Sequence, residues 1–330
     1  MTSKSADKTA GLSRTLSLEL VRVTERAAVA ASRLSGRGDE KEADQAAVDA
    51  MRQELNDLDI DGVVVIGEGE RDEAPMLFIG EEVGTKNGPK VDIALDPLEG
   101  TTLTAKNMQN ALAVVALAEG GTLLNAPDVY MDKIAIGGGY PDGIVDLDAS
   151  PADNIKALAQ AKGVDVSEIC ACVLDRPRHA SLIAAIRDVG ARVALISDGD
   201  IAGVIATTDR TTGIDIYIGV GGAPEGVLAA AALRCIGGQM QGRLITNNEE
   251  QKKRAARMGI KDFDAKYSMN EMASGDVIFA ATGVTDGSML DGIKVTPEGV
   301  TTHTIVMRAS TGTVRRIRAF HRADSKFASI

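Results

Sequence analysis

The run Asp96-Pro97-Leu98-Glu99-Gly100-Thr101 constrains this chain more than any other stretch. It follows Val91-Asp92-Ile93-Ala94-Leu95, an apolar run that reads as a buried strand. Two carboxylates, Asp96 and Glu99, therefore fall where a strand ends and a turn begins. Pro97 stiffens the backbone between them, and Gly100 permits a turn that most residues resist. A threonine hydroxyl follows directly. Hard oxygen ligands clustered on a rigid strand end suit Mg2+ or Mn2+. Such ions bind phosphate esters and activate water against them.

Upstream, Gly62-Val63-Val64-Val65-Ile66 is a second apolar strand that empties into Gly67-Glu68-Gly69-Glu70-Arg71-Asp72-Glu73. One acid loop alone is an ordinary solvated turn. Two in succession carry more weight, because consecutive strands are often neighbours in one sheet. Their carboxylates would then converge on one pocket, where bound cations must offset the repulsion.

The chain has 330 residues, enough for two packed lobes around a cleft or one large α/β domain. Hydrophobic residues make up 44% and aromatics only 3%, so the core must be aliphatic, which suits parallel sheets covered by helices. A net charge of −11 argues against nucleic acid as a partner, since phosphate backbones need a basic surface. Arg315, Arg316 and Arg318 read as strand-face charges or local ion-pair partners. The three cysteines, Cys170, Cys172 and Cys235, are too few for a disulfide scaffold or a zinc site and read as small buried thiols. No apolar stretch approaches the ~20 residues of a membrane span. Met1 to Ala10 is polar, lacks the apolar core of a secretory signal, and reads as a frayed tail. A cytoplasmic protein is expected.

Helical spacing of Leu16, Leu20, Val23, Ala27 and Ala30 predicts a helix over Leu12 to Leu34, and a second is predicted over Ala43 to Leu55. Asp44 falls in the first turn of the second helix, where a carboxylate complements the helix dipole. Ala111 to Ala118 is a further strand. After a helix near Asp153–Ala161, strands and helices alternate: Cys170–Leu174, His179–Val189, Arg192–Ile196, Ile201–Ala206, Asp215–Val220 and Val227–Cys235. Alternation predicts a mostly parallel sheet with sites at strand C-termini. Glu249–Met258 reads as a charged helix, Val277–Ala281 as a strand, and Thr301 to His321 as a β-hairpin. Gly-, Pro- and Asp-containing runs over 141–176 mark an expected boundary, giving lobes 1–150, with both acid loops, and 151–330.

Gly219-Val220-Gly221-Gly222-Ala223-Pro224-Glu225-Gly226 does not space its glycines as a dinucleotide loop does, and places Glu225 where a pyrophosphate would sit. The segment is either a plain strand-to-helix turn or a site where that carboxylate binds a metal. Asp198-Gly199-Asp200 is either a turn with a helix cap or a pair of acceptors for sugar hydroxyls. Arg176-Pro177-Arg178 is either a helix start with solvated charges or a pair of guanidinium groups that clamps a phosphate. His179 reads as structural or as a support behind the site residues, and Tyr130 alone would be a core or rim residue.

Together these segments resemble class II fructose-1,6-bisphosphatases, which belong with inositol monophosphatases to the lithium-sensitive, metal-dependent sugar phosphatases. The resemblance runs from Glu19-Leu20-Val21-Arg22-Val23-Thr24-Glu25 to the terminal hairpin. It is carried by Gly67-Glu68-Gly69-Glu70-Arg71-Asp72-Glu73-Ala74-Pro75-Met76-Leu77, Asp96-Pro97-Leu98-Glu99-Gly100-Thr101 and Asn125-Ala126-Pro127-Asp128, then by Pro177-Arg178-His179, Asp198-Gly199-Asp200 and Gly221-Gly222-Ala223-Pro224-Glu225-Gly226. It implies a layered αβαβα fold and a homo-oligomer. It implies Asp44, Glu68, Asp96, Glu99 and Glu225 as ligands of Mn2+ or Mg2+, with the Leu98 carbonyl added. Thr101, with Asp44 and Glu68, would orient the attacking water. Glu99, Gly100, Thr101, Tyr130, Arg176, Pro177, Arg178, Asp198, Gly199, Asp200 and Gly222 would hold the sugar bisphosphate. One departure is visible: Glu40-Lys41 stands where relatives often carry Lys-Asn. The implied activity is hydrolysis of the 1-phosphate of fructose 1,6-bisphosphate, with sedoheptulose 1,7-bisphosphate as a further substrate. An inositol-phosphate phosphatase and a non-catalytic sugar-phosphate sensor are the rivals. The intact acid set with Thr101 argues against the sensor.

Overall fold

The computed structural model describes residues 12–69, 76–325 and 327. The expected tail, and Glu70, Arg71, Asp72 and Glu73 of the upstream acid loop, lie outside the described residues. Helix α1 (Leu16–Ser32) buries Leu16, Leu20, Val23 and Ala27. Helix α2 (Glu40–Asn56) is capped by Asp39, whose carboxylate accepts from the Glu42 N–H at 3.0 Å. The cap starts α2 earlier than expected. Glu40 and Glu42 take the first turn, and Asp44 stands in the second, where the dipole has faded. Dipole complementation is therefore no longer the reason for its place.

Strands β1 (Asp61–Ile66), β2 (Glu82–Val83) and β3 (Lys90–Glu99) follow, then the short α3 (Thr101–Ala105), β4 (Leu112–Glu119) and β5 (Tyr130–Gly137). The middle of the chain runs α4 (Pro151–Lys162), β6 (Cys170–Leu174), α5 (Ala180–Asp188), β7 (Arg192–Ile196), α6 (Asp200–Ala206), β8 (Ile216–Gly222) and α7 (Ala223–Ile236). It ends with β9 (Gly238–Ile245), α8 (Glu249–Arg257), β10 (Lys266–Ser268), α9 (Met269–Met272), β11 (Val277–Gly283), β12 (Lys294–Thr296), β13 (Gly299–Arg308) and β14 (Thr313–Arg322).

The strands form two sheets. One has the order β12-β13-β11-β4-β3-β1-β2, with β14 also on β13; the other has the order β10-β9-β5-β8-β6-β7. Among the described residues only β1 with β3, β6 with β7 and β6 with β8 run parallel, so the expectation of a mostly parallel sheet is corrected. The alternation of strands and helices was real, but β5 and β9 enter the second sheet antiparallel to each other, and β5 is antiparallel to β8. Neither strand announces itself. The core face of β5 is interrupted by Lys133, and β9 reads Gly-Gln-Met-Gln-Gly-Arg-Leu-Ile.

Three cores define the layers. Outside the first sheet, Leu20 and Val23 of α1 and Met51 and Leu55 of α2 pack on Ile93, Leu95, Val115 and Ile278. Between the sheets, Ile201 and Val204 of α6 and Val227 and Leu228 of α7 meet Val114 and Phe279 on one side and Met131 and Tyr217 on the other. Outside the second sheet, Ile155 and Leu158 of α4 and Ile183 and Ile186 of α5 cover Ile134, Val173 and Ile216. The fold is the expected αβαβα stack. Its sheets cut across the expected division at 150, because β5 to β10 build the second sheet and the chain then returns to the first. The three thiols are free and buried, and burial pushes Cys172 and Cys235 up to about 12. Arg318 pairs with Asp291 and Arg316 donates to the Met289 carbonyl at 2.7 Å, as local charges on the terminal hairpin. Among the described residues no helix is long and apolar enough to cross a membrane.

Helix α7 lies in the central layer and is buried on nearly all sides. Leu228→Ala is expected to cost roughly 2–5 kcal/mol in a urea unfolding curve. Leu18→Ala, at a position 60% exposed on α1, is expected to change it by less than about 0.5 kcal/mol.

Candidate metal and phosphate site

The register of β3 against β4 explains why Asp96 and Glu99 work together. Asp96 pairs with Val114 and Glu99 with Leu112, so Pro97 and Leu98 bulge opposite the single residue Ala113. A regular strand would send residues three apart to opposite faces. The bulge turns both carboxylates to the face of Val114 and Leu112, towards the central helices. Pro97 fits there because a bulged residue need not donate to the ladder. The Asp96 carboxylate accepts from the Leu98 N–H at 3.1 Å, which tightens the bend. Gly100 then takes φ +89°, where a side chain is strained, and α3 begins with Thr101.

Three other segments bring acids to the same place. Glu68 follows β1, where Gly67 lets the backbone pass against the Leu77 carbonyl. Asp44 comes from α2. Glu225 opens α7, and its carboxylate lies so close over Gly222 that any Cβ there would overlap it. The acids share one field. Burial, then the Asp44, Glu225 and Asp128 charges, push Glu68 up to about 8. Burial and the Asp200 charge push Glu225 up to about 7. Asp96 is raised well above the usual range by burial, then by Glu68, Glu225 and Asp44. Glu99 is raised likewise, by burial and then by Asp200, Asp96 and Glu225. Burial raises Asp44 as well.

The donor set suits a divalent ion. Glu99 Oε2 and Glu225 Oε2 are buried and have no hydrogen-bond partner. Buried carboxylate oxygens left bare in a crowd of like charges call for a cation. Among the described residues no three Asp, Glu, His or Cys side chains are already gathered as a ready coordination shell. The acids converge in potential, and their side chains would close further on an ion.

Beside the acids lies a basic rim. Arg178 donates through Nε and Nη2 to the Val220 carbonyl at 3.1 and 2.8 Å and stacks on Tyr130, 4.8 Å from the ring centroid. Tyr130 is 49% exposed, so the pair stands at the surface. Arg176 is held by the Ser197 and Asp175 carbonyls and lies 3.8 Å from Asp198. Pro177 starts the single turn between them. His179 is structural, as expected: its Nε2 accepts from the Val220 N–H at 2.8 Å and its Nδ1 donates to the Leu174 carbonyl at 2.7 Å. Together these bonds hold the β8 end against the arginine loop.

Residues 14–321 match the family profile described as bacterial fructose-1,6-bisphosphatase, glpX-encoded. The chain belongs to this family. It is 46% identical to fructose-1,6-bisphosphatase 1 class 2 of Escherichia coli (strain K12) over 95% of this chain and 97% of that one. It is 44% identical to the D-fructose 1,6-bisphosphatase class 2/sedoheptulose 1,7-bisphosphatase of Synechococcus sp. (strain JA-3-3Ab), over 94% of this chain and 96% of that one. The inositol monophosphatase from Anabaena (Nostoc) sp. PCC 7120 superposes with a TM-score of 0.30 at 13% identity, over 58% of this chain and 71% of that one. That last likeness bears no weight beside the family match.

The structure of this family member brings Asp44, Glu68, Asp96, Glu99 and Glu225 into one electrostatic cluster. Asp198 and Gly199 end the β7 loop beside Arg176. Asp200 is buried, with its carboxylate tied to Lys133 and, at 3.4 Å, to the Tyr217 hydroxyl. The Thr101 hydroxyl makes no hydrogen bond to Asp44, Glu68 or any other described residue, so it is available to a water. Lys41 is exposed on the first turn of α2. Sequence reasoning passed over Asp128, which lay inside a quoted motif, and Lys133, which no motif marked.

The raised acids set a pH dependence. Glu68 and Glu225 titrate near 8 and 7 in the folded protein, against 4.5 for an ordinary Glu. Their contribution to stability is present below about 4.5 and lost as pH rises through those values. The melting temperature of metal-free protein is expected to fall between about pH 4.5 and 8. Added Mn2+ should restore it more at the upper end, because ligands must be deprotonated. A flat profile with no Mn2+ effect would count against the cluster.

Proposed function

We propose that the enzyme hydrolyses the 1-phosphate of fructose 1,6-bisphosphate to fructose 6-phosphate and phosphate, using Mn2+ or Mg2+ held by Asp44, Glu68, Asp96, Glu99 and Glu225. The observation that carries this reading is the pair of partnerless oxygens, Glu99 Oε2 and Glu225 Oε2, inside a buried carboxylate cluster. Divalent ions bound there supply the positive charge that lets a phosphate dianion approach and that lowers the pKa of a bound water. The Leu98 carbonyl adds an oxygen to the set. Thr101 aims the attacking water with its free hydroxyl, and Gly100 brings that hydroxyl round to the acids.

The rest of the cleft orients the sugar. Arg176 and Arg178 grip the 6-phosphate and orient the substrate without taking part in bond breaking. Their guanidinium groups are already pinned by backbone carbonyls, so little freedom is lost on binding. Tyr130 supplies an exposed face, Asp198 with Gly199 accepts from sugar hydroxyls, and Gly222 leaves room for the Glu225 carboxylate at the start of α7. Because the Synechococcus relative carries sedoheptulose 1,7-bisphosphatase in its name, a seven-carbon ester belongs in the same cleft. Three free thiols and the acidic balance support a cytoplasmic enzyme, and the family resemblance supports a homo-oligomer, which light scattering would measure.

Phosphate release from fructose 1,6-bisphosphate is expected with Mn2+ or Mg2+ and none with EDTA. Release from inositol 1-phosphate alone would keep the metal cluster and discard the substrate. Asp96→Asn is expected to lower kcat by about 100-fold or more and to weaken metal binding; near-normal activity would remove Asp96 from the site. Arg178→Ala should raise KM by about tenfold with little change in kcat, because it touches the end of the substrate that does not react.

A further inference from the structure

Lys133 has no part in the mechanism above, yet its placement is costly. It sits on β5 between Met131 and Ala135, on the face that packs into the central helical layer. It is fully buried, and it is the one lysine among the described residues that is. An apolar side chain would fill that position at no electrostatic cost, whereas a buried ammonium costs several kcal/mol unless it is paired and hydrogen-bonded. Here it is both. Nζ donates to Asp200 Oδ2 and, at 2.9 Å, to the Gly222 carbonyl.

Each of those partners starts a helix. Asp200 is the first residue of α6, and the next N–H, that of Ile201, donates to Glu99 Oε1 at 3.2 Å. Gly222 caps α7, whose first turn carries Glu225. One ammonium thus ties together the two helix starts that place Glu99 and Glu225, the acids with bare oxygens. The glycines of β8 and α7 make room for it. A Cβ at Gly221 would overlap Asp200 Oδ2 and lie 2.9 Å from Nζ, and one at Gly226 would lie 3.2 Å from Lys133 Cδ.

We propose that Lys133 is a positioning residue of the metal cluster: its ammonium locks Asp200 and the Gly222 carbonyl, and so sets where Glu99 and Glu225 stand to receive an ion. The proposal rests on the metal-site reading given above. It also assigns Asp200 a role as the partner of Lys133, beside any contact that it makes with sugar.

The test is Mn2+ binding to metal-free protein by titration calorimetry, which needs no turnover. Lys133→Met alone leaves Asp200 buried and unpaired and is liable to unfold. The double variant Lys133→Met/Asp200→Asn removes one charge of each sign, so the net charge of the cluster is unchanged and a change in affinity reports position. Outer partners of metal ligands are worth about 10–100-fold in affinity, and a loss in that range is expected. Gly221→Ala provides an independent arm without altering any charge: its Cβ pushes Asp200 off Lys133, and Mn2+ affinity is expected to fall by about tenfold. Folding of both variants is read by circular dichroism. Affinities within about twofold of wild type in either folded variant would overturn the proposal. Wild-type protein that binds no Mn2+ and releases no phosphate would overturn the metal-site reading itself, which separates the two failures.

Discussion

The burial of like-charged carboxylates, sharpened by their mutual repulsion, governs this structure. Five acids from four segments share a space where each opposes the ionisation of its neighbours, and two of their oxygens have no protein partner. No arrangement of hydrogen bonds within the chain removes that repulsion. It is offset by Lys133 from inside the fold and, on the reading proposed here, by divalent ions from outside. The layered architecture serves this arrangement. Sheets above and below hold the central helices rigidly enough that like charges do not push them apart.

The layers also decide where the site lies. β1 and β3 deliver Glu68, Asp96 and Glu99 from the first sheet, while the ends of β7 and β8 lead into Asp198, Asp200 and Glu225 beside the second. Helices α6 and α7 occupy the space between, so their starts meet the ends of strands from both sheets. The cluster is therefore a junction between layers. The arginine rim belongs to the second sheet alone, anchored through His179 and the Val220 carbonyl. The acids thus draw on both sheets, whereas the two arginines draw on one.

Much of this was legible in the residues. Long aliphatic runs with helical or strand periodicity marked most elements to within a few residues, because burial of one face leaves a pattern along the chain. The two acid loops drew attention because carboxylates rarely follow buried strands without cause. Strands β5 and β9 left no such pattern. Their inner faces carry Lys133, Gly242 and methionines, chosen to fit around helix starts that lie far away in the chain. The direction of strand pairing was hidden for the same reason, since nothing in a strand states which partner it will find.

The sequence by itself determined the oxygen-rich acid loops, the aliphatic layered class and the order of the motifs, since each depends on residue type and local spacing. Only the tertiary structure decided which acids meet. The bulge at Pro97 and Leu98 turns Asp96 and Glu99 to one face, and α2 begins early enough to move Asp44 off its first turn. The fold likewise decided that Asp200 answers to Lys133, a pairing across 67 residues of chain. Electrostatic partners are set by distance in space, and distance in space between remote residues exists only once the layers have packed.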